Sequence, residues 1–419
     1  MRFVHAADMH LDSPLIGLQQ YEGAPAKEIR GATRQALCGL VKLALDEQVD
    51  FVLIAGDLYD GDWRDYNTGL FFVSQMSRLC EAGIRVFLVT GNHDAANQIT
   101  KALSLPENVT MFKHRRPETV TLDDLGVAIH GQSFGARAVT DDLSAAYSDP
   151  HPGVFNIGLL HTNVDGRKGH DNYAPSSLDG LRSKGYNYWA LGHIHTSEVL
   201  SKEPWIVYPG NIQGRYVRET GVKGCILVEV EDGEVTSCEH HALDVVRWAI
   251  CRVDAGDSAD ANDVMDLVND ALADEMNRAG DRLLAVRVEV EGVCRAHEEL
   301  SRNPEQWTNE VRARALDMSD RIWIEQVRFI TRAELDLGEL AERDDALGWL
   351  LRGMRDLDAD ETNLDKLIAV FHDLDQKLPH EVKSGDEALR LDDSATIRAM
   401  LNEVRDLIIS RILSRGGAS

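Results

Sequence analysis

The chain has 419 residues, more than one typical domain of about 100–200 residues, so two or three domains are expected. A hydrophobic share of 43% suffices for packed cores and excludes a wholly disordered chain. The 44 Lys/Arg against 70 Asp/Glu leave a net charge of −26, which argues against attachment to DNA through a bulk positive field, although a local basic groove or a metal-held phosphate stays open. Six cysteines form no CxxC pair, fitting reduced thiols in a cytosolic protein. The opening MRFVHAADMH lacks a signal-type apolar core, and no stretch approaches the roughly 20 apolar residues of a membrane span. The expectation is a soluble cytoplasmic chain with no membrane association.

In chain order, short apolar runs occur at Phe3–Ala7, Phe51–Ala55, Val86–Thr90, Phe155–Leu160, Tyr188–Leu191 and Ile206–Tyr208, each ending in a polar cluster. Helix-like patterns at Ala32–Glu47 and Asn67–Ala82 lie between them. Buried strands alternating with helices predict α/β architecture. Gly224–Val230 and Val235–Cys238, separated by Glu231-Asp232-Gly233-Glu234, predict a hairpin turning on Asp-Gly. Beyond Val245 the pattern changes to strand (Arg247–Val253), helix (Ala261–Asn277) and alternating strand (Arg282–Val290). This is a small α+β unit continuing to about Arg332. From Ala333 helical composition dominates, with a break at Lys383-Ser384-Gly385. The expected domains are 1–245, 246–332 and 333–419. The first of these carries 21 Lys/Arg and 32 Asp/Glu, and residues 246–419 carry 23 and 38, so the shorter C-terminal part is the more acidic. A solvated helical surface or a docking face for a basic partner both fit that charge.

Five chemistry-bearing clusters follow the apolar runs: Asp8-Met9-His10, Gly56-Asp57, Gly91-Asn92-His93-Asp94, His161 and Gly192-His193-Ile194-His195. Ligands of open α/β sheets gather outside the carboxyl ends of the strands, so these ends are aimed at one crevice. Asp8, His10, Asp57, Asn92, His161, His193 and His195 are seven oxygen and imidazole donors, too many for one tetrahedral zinc and suited to two divalent ions of the Mn²⁺/Fe²⁺/Zn²⁺ kind. Such a pair clamps a phosphate and activates water. Gly56, Gly91 and Gly192 allow close backbone approach beside the ligands.

The ordered set DxH…GD…GNHD…H…GHxH resembles the calcineurin-like metallophosphoesterase superfamily, and more closely the SbcD/YhaO-type family of DNA-repair exonucleases. HAADMHLDSPL, GDLYDG, NYAPSSLDGL, YNYWALGHIH, YPGNIQGR and RETGVKGCILVEV carry the resemblance over most of residues 1–245. It implies that Asp8, His10, Asp57 and His195 hold one metal, and Asp57, Asn92, His161 and His193 the other, with Asp57 as bridge and Mn²⁺ the expected ion. It makes His93 a catalytic residue that stabilises the pentavalent phosphorus or protonates the leaving oxygen, oriented by Asp60. Asp94 is read equally as a support of the site or a helix N-cap. The segment Asp12-Ser13-Pro14 stands where many SbcD relatives carry glycine, and points to the YhaO-like branch.

The fold so implied is a four-layer α/β/β/α metallophosphoesterase sandwich, with a small α+β cap that selects DNA ends and a helical C-terminal tail. DNA is the expected substrate, cut by an exonuclease acting from 3′ ends, with endonuclease action on single strands. Arg115-Arg116, Arg167-Lys168 with His170, and Arg215-Tyr216 with Arg218 are basic loop islands suited to phosphate, and Tyr216 to base stacking. The expected partner of the tail is a coiled-coil, SMC-like ATPase of the SbcC or YhaN kind. Helices between residues 63 and 105 would form a homodimer or pack on their own domain. The alternatives are a phosphodiesterase of cyclic or other small nucleotides and an inactive DNA-end-binding scaffold.

Overall fold

The computed structural model describes residues 1–13, 25–60, 66–95, 104–167, 173–334, 337–345, 348–353, 361–378, 391, 393–398, 400–402, 404 and 408–409. Pro14, Lys168, His170 and the break at 383–385 lie outside the described residues, as do 63–65 and 96–103 of the segment expected to dimerise.

Two six-stranded sheets form the first half of the chain. The first holds β1 (Arg2–Ala6), β2 (Phe51–Ala55), β3 (Arg85–Val89), β4 (Val109–Met111), and later β11 (Gly224–Glu231) and β12 (Glu234–Ala242), in the order β12-β11-β1-β2-β3-β4. Strands β1 to β4 run parallel, while β11 pairs antiparallel with β1 and with β12. The second sheet holds β5 (Glu118–Leu122), β6 (Val127–Gly131), β7 (Phe155–His161), β8 (Tyr188–Gly192), β9 (Glu198–Lys202) and β10 (Trp205–Tyr208), in the order β5-β6-β7-β8-β10-β9.

Side-chain parity builds the layers, because alternate residues of a strand face opposite ways. Val4, Ala6, Val52, Ile54, Val86 and Leu88 pack against Leu37, Leu40 and Val41 of α1 (Ala26–Asp46) and Phe72, Met76 and Leu79 of α2 (Tyr66–Glu81). Their neighbours Phe3, Phe51, Leu53, Phe87 and Val89 meet Ile129, Ile157, Leu159, Tyr188, Ala190 and Val207 of the second sheet. The far side of that sheet, through Leu160, Trp189, Leu191, Ile206 and Tyr208, packs on Tyr147, Leu181 and Tyr186. The result is the expected four-layer α/β/β/α sandwich. Because helices or sheets cover both faces, the central strands read as unbroken apolar runs, and each fully buried Phe or Leu contributes about 1.5–3 kcal/mol.

The chain divides into two compact units, Met1–Ile250 with Met276–Val286 and Arg321–Glu325, and Cys251–Glu275 with Arg287–Asp320 and Gln326–Ser419. A third sheet, β13 (Val246–Asp254), β14 (Leu283–Cys294) and β15 (Ile322–Ala333), has the order β13-β14-β15. In the second unit Val264, Met265, Val268 and Leu272 are buried with Val288, Val290, Leu300 and Val311, and Glu289 pairs with Arg252 (3.3 Å) and Arg328 (3.7 Å). Helices are described in the tail at Leu337–Glu342 and Glu361–Lys377. No helix among the described residues is long and apolar enough to cross a membrane, and none of the six cysteines is in a disulfide.

Candidate metal centre

Five of the strands end at one edge of the sandwich, and their loops are zipped together by backbone hydrogen bonds. Beyond β1 and β2 the N–H of Asp8 donates to Gly56 O (3.0 Å), that of His10 to Asp57 O (3.0 Å) and that of Leu11 to Leu58 O (2.9 Å). Beyond β7 and β8 the N–H of Thr162 donates to Gly192 O (3.1 Å). The loops turn sharply enough that Asp8 (φ 50°), His10 (φ 43°), Asp57 (φ 51°) and His193 (φ 102°) all lie at positive φ. Non-glycine residues held there cost about 1–3 kcal/mol each and persist only where the surroundings fix them. Two glycines allow the layers to meet: a Cβ on Gly192 would lie 1.8 Å from Ala55 O, and one on Gly91 would lie 2.3 Å from Asp57 Oδ1.

The seven proposed ligands converge there. Asp8, His10, Asp57, Asn92, His161 and His193 are buried, and the His195 side chain is 16% exposed. On one side, His195 Nδ1–H donates to Glu219 Oε1 (2.7 Å), which leaves Nε2 as an acceptor. That Nε2 faces His10 Nε2 at 3.2 Å and Asp8 Oδ1 at 3.9 Å, while His10 Nε2 lies 3.8 Å from Asp57 Oδ2. On the other side, His161 Nδ1–H donates to Ala55 O (2.8 Å), leaving its Nε2 facing Asn92 Oδ1 (3.0 Å) and Asp57 Oδ2 (3.6 Å). The His193 ring packs on His161 with centroids 5.1 Å apart, and the backbone N–H of His193 donates to Asp8 Oδ2 (3.0 Å).

Two groups of lone pairs thus face each other with Asp57 common to both. Such an arrangement of oxygen and imidazole donors suits a cation. Burial, with the Asp57 charge next to it, pushes the Asp8 carboxyl well above the usual carboxylate range. Burial likewise pushes His10 down to about 3, so its ring is a neutral donor to a metal, and its Nδ1 is buried without a hydrogen-bond partner. Tying the second nitrogen of an imidazole to an oxygen acceptor, as Glu219 does for His195 and Ala55 O for His161, is how metal-binding histidines are oriented. The residues present fit divalent cations.

His93 and Asp60 meet as expected from the offset, His93 Nδ1 standing 2.7 Å from Asp60 Oδ1. Burial opposes ionisation of Asp60, but the neighbouring imidazoles of His10 and His93 outweigh it and hold the carboxyl far below its ordinary range. Burial lowers His93, yet the Asp60 hydrogen bond and the Asp57 charge leave it raised overall. Its ring is 31% exposed, open to substrate where the metal donors are not. Asp94 joins the loops: its carboxylate accepts the N–H groups of Gly91 (3.1 Å), Leu58 (3.1 Å) and Tyr59 (2.9 Å).

The basic islands divide. The Arg215 guanidinium is 12% exposed, paired with Glu219 (2.9 Å) and near Asp60 (3.6 Å), and lies over the Tyr216 ring. Tyr216 itself is 46% exposed. Arg167 pairs with Glu198 and lies over the Tyr208 ring. Glu219 is the buried residue that sequence reasoning missed, although it stands within the quoted RETGVKGCILVEV. Burial opposes its charge, but His195 and Arg215 hold its carboxyl well below the usual range, and it also accepts from Asn211 Nδ2 (2.9 Å). Lys223 Nζ donates to His195 O (2.8 Å), bracing the same loop from a position that the sequence reading also left unassigned.

Residues 1–197 match the calcineurin-like phosphoesterase family, and residues 248–332 match the middle domain of metallophosphoesterase YhaO. The metallophosphoesterase YhaO of Bacillus subtilis is 36% identical over 298 residues, 70% of this chain and 72% of that protein. The DNA double-strand break repair protein Mre11 of Methanopyrus kandleri is 28% identical over 233 residues, 50% of this chain and 48% of that protein, so the chain spans about half the length of that relative. Among solved structures, a dimetal phosphatase from Danio rerio is 12% identical over 55% of this chain and 93% of that one, with a TM-score of 0.34. The chain therefore belongs to the YhaO-type calcineurin-like metallophosphoesterases, metal-dependent hydrolases of phosphate esters.

Proposed function

We propose that the chain is a two-metal DNA nuclease of the break-repair kind. The observation that supports it most is the convergence of imidazole nitrogens and carboxylate oxygens: His195 Nε2 stands 3.9 Å from Asp8 Oδ1, and His161 Nε2 stands 3.6 Å from Asp57 Oδ2. Asp8, His10, Asp57 and His195 would hold one ion, and Asp57, Asn92, His161 and His193 the other. Mixed oxygen and imidazole donors suit ions of the Mn²⁺/Fe²⁺/Zn²⁺ kind, and the family resemblance favours Mn²⁺. When bound, the ions supply a clamp for the phosphate and activation of water.

The chain's own residues do the rest. His93, held at Nδ1 by Asp60, has Nε2 left for the substrate, where a proton passes to the leaving oxygen. Arg215 offsets part of the negative charge of the Asp60 and Glu219 carboxylates beside the site. Exposed Tyr216 offers a face for a base, with Arg167 and Lys168 as further phosphate contacts.

DNA as substrate draws on the named break-repair relative. In this reading residues 1–245 are the nuclease, 246–332 a cap that selects ends, and 333–419 a docking region for an SMC-like ATPase of the SbcC/YhaN kind. The enzyme works in the cytoplasm, cuts from 3′ ends with endonuclease action on single strands, and forms a homodimer. The match of residues 248–332 to a dedicated middle domain supports that division.

The test compares Mn²⁺-supported hydrolysis of linear duplex DNA, single-stranded DNA and cyclic nucleotides by the full chain. Release of nucleotides from DNA ends is expected. Activity confined to cyclic nucleotides, or DNA binding with no metal-dependent cleavage, would replace the proposal by a small-nucleotide phosphodiesterase or a scaffold respectively.

A further inference from the structure

One polar network beside the metal centre has no part in the reading above. Asp12, at φ 54°, follows the metal loop by two residues. Its carboxylate accepts from Arg34 Nε of α1 (2.8 and 2.9 Å to the two oxygens) and from Thr68 Oγ1 of α2 (2.5 Å). Its own N–H donates to Thr33 Oγ1 (3.2 Å). The next residue, Ser13, is tied back through its N–H to His10 O (3.1 Å), and its hydroxyl donates to Asp60 Oδ2. The other oxygen of Asp60 is the one that receives His93 Nδ1.

A carboxylate turns easily about its Cβ–Cγ bond, because that torsion is broad. Two directional partners, one on each oxygen, stop it. Arg215 Nη1, 3.6 Å from Oδ2, is beyond hydrogen-bond range and attracts Asp60 without orienting it. The Ser13 hydroxyl is therefore the group that sets the plane of the carboxylate on which His93 rests.

We propose that Asp12 and Ser13 are positioning residues for His93: Arg34 and Thr68 fix Asp12, Asp12 fixes the backbone that carries Ser13, and the Ser13 hydroxyl aligns Asp60. The inference rests on the reading of His93 as the proton-handling residue. It assigns a function to the Asp-Ser pair that follows the DxHL motif, and it couples the outer helices α1 and α2 to the acid–base residue.

Two readouts test it. With Mn²⁺ and bis(p-nitrophenyl) phosphate, Ser13→Ala is expected to lower kcat about tenfold, a fraction of the general acid–base contribution, with KM and bound metal unchanged. Ser13→Thr, which keeps the hydroxyl, restores kcat, and Ser13→Ala has no further effect in a His93→Ala background. Independently of activity, ¹⁵N-histidine NMR should show a hydrogen-bonded Nδ1–H resonance that is absent in His93→Ala and lost or shifted in Ser13→Ala and Asp12→Asn. An unchanged kcat and resonance in Ser13→Ala, full additivity with His93→Ala, or loss of metal from Ser13→Ala would overturn the proposal. If the wild-type chain hydrolyses no phosphodiester, the functional reading fails, and the resonance alone still decides whether Ser13 orients the Asp60–His93 pair.

Discussion

The Nε2 atoms of His10 and His195 face each other across 3.2 Å, close enough to share one proton or one cation. His195 directs its Nδ1–H at Glu219 on the far side of the ring, and burial keeps His10 neutral. A divalent cation would take the place of the proton between them. Glu219→Gln, which keeps the shape and removes the charge behind His195, is expected to weaken Mn²⁺ binding by about 10- to 100-fold. Titration calorimetry checks it, and unchanged affinity would show that Glu219 serves the loop and not the ligand.

Asp57 and His93 are neighbours with opposite expected phenotypes, the Asp57 Oδ1 atom accepting the His93 N–H at 3.0 Å. Asp57→Ala should empty or disorder both metal positions. His93→Ala should keep both ions while turnover falls by about 10²-fold or more, as when a positioned acid or base is removed. Metal analysis beside steady-state kinetics separates the two, and loss of both ions from His93→Ala would contradict the assignment.

Close approach at Gly192 predicts a stability effect without any charge change. An alanine Cβ would lie 1.8 Å from Ala55 O, a backbone atom that cannot swing aside. Gly192→Ala should cost about 3 kcal/mol or more, at the upper end of overpacking penalties. Gly31→Ala, in α1 with only Gln35 Nε2 at 3.7 Å, should instead gain about 0.5–1 kcal/mol from lower unfolded-chain entropy. Urea denaturation of the two variants checks the pair.

His5 supplies a pH test remote from turnover. It is fully buried in β1, with Nε2–H donating to Leu191 O (3.0 Å) and Nδ1 accepting from Tyr188 Oη (3.0 Å), and burial pushes its pKa down to about 3. Unfolded, it binds a proton near pH 6.5. Between those values the unfolded chain holds one more proton than the folded one, so the neutral-pH stability from this group is complete above about 6.5 and lost as pH falls towards 3. In His5→Gln the pH dependence of unfolding free energy between about pH 6 and pH 4 should shrink by the equivalent of about one proton. An unaltered slope would mean that the chain accommodates a charged His5.

Much of the sandwich was legible because its central strands are buried on both faces. Phe51–Ala55 was read to the residue, and the runs at Phe3, Val86, Phe155, Tyr188 and Ile206 fell within one residue of the observed strands. Strands β4, β5, β6 and β9 were not read: the first two and β9 are half-exposed and mixed in polarity, so no clear period marks them, and β6 is a short buried run interrupted by His130. At the site, the residues ending each run were legible as a set because chemistry concentrates at strand ends. Glu219, Ser13 and the three-fold acceptor Asp94 act through partners 24, 47 and 36 residues away, and only tertiary packing reveals such pairs. The same packing ties Arg167 to Glu198 and Arg215 to Glu219, where sequence alone saw basic loops.

The most direct test of the account is equilibrium dialysis of the full chain against Mn²⁺, with metal per chain measured for the wild type and for Asp57→Ala. Two ions per chain, falling to none or to weak, disordered binding in the variant, is the expected result. A wild-type chain that saturates at a single ion, or an Asp57→Ala variant that still holds two, would contradict a shared-carboxylate pair and the phosphodiester chemistry built on it.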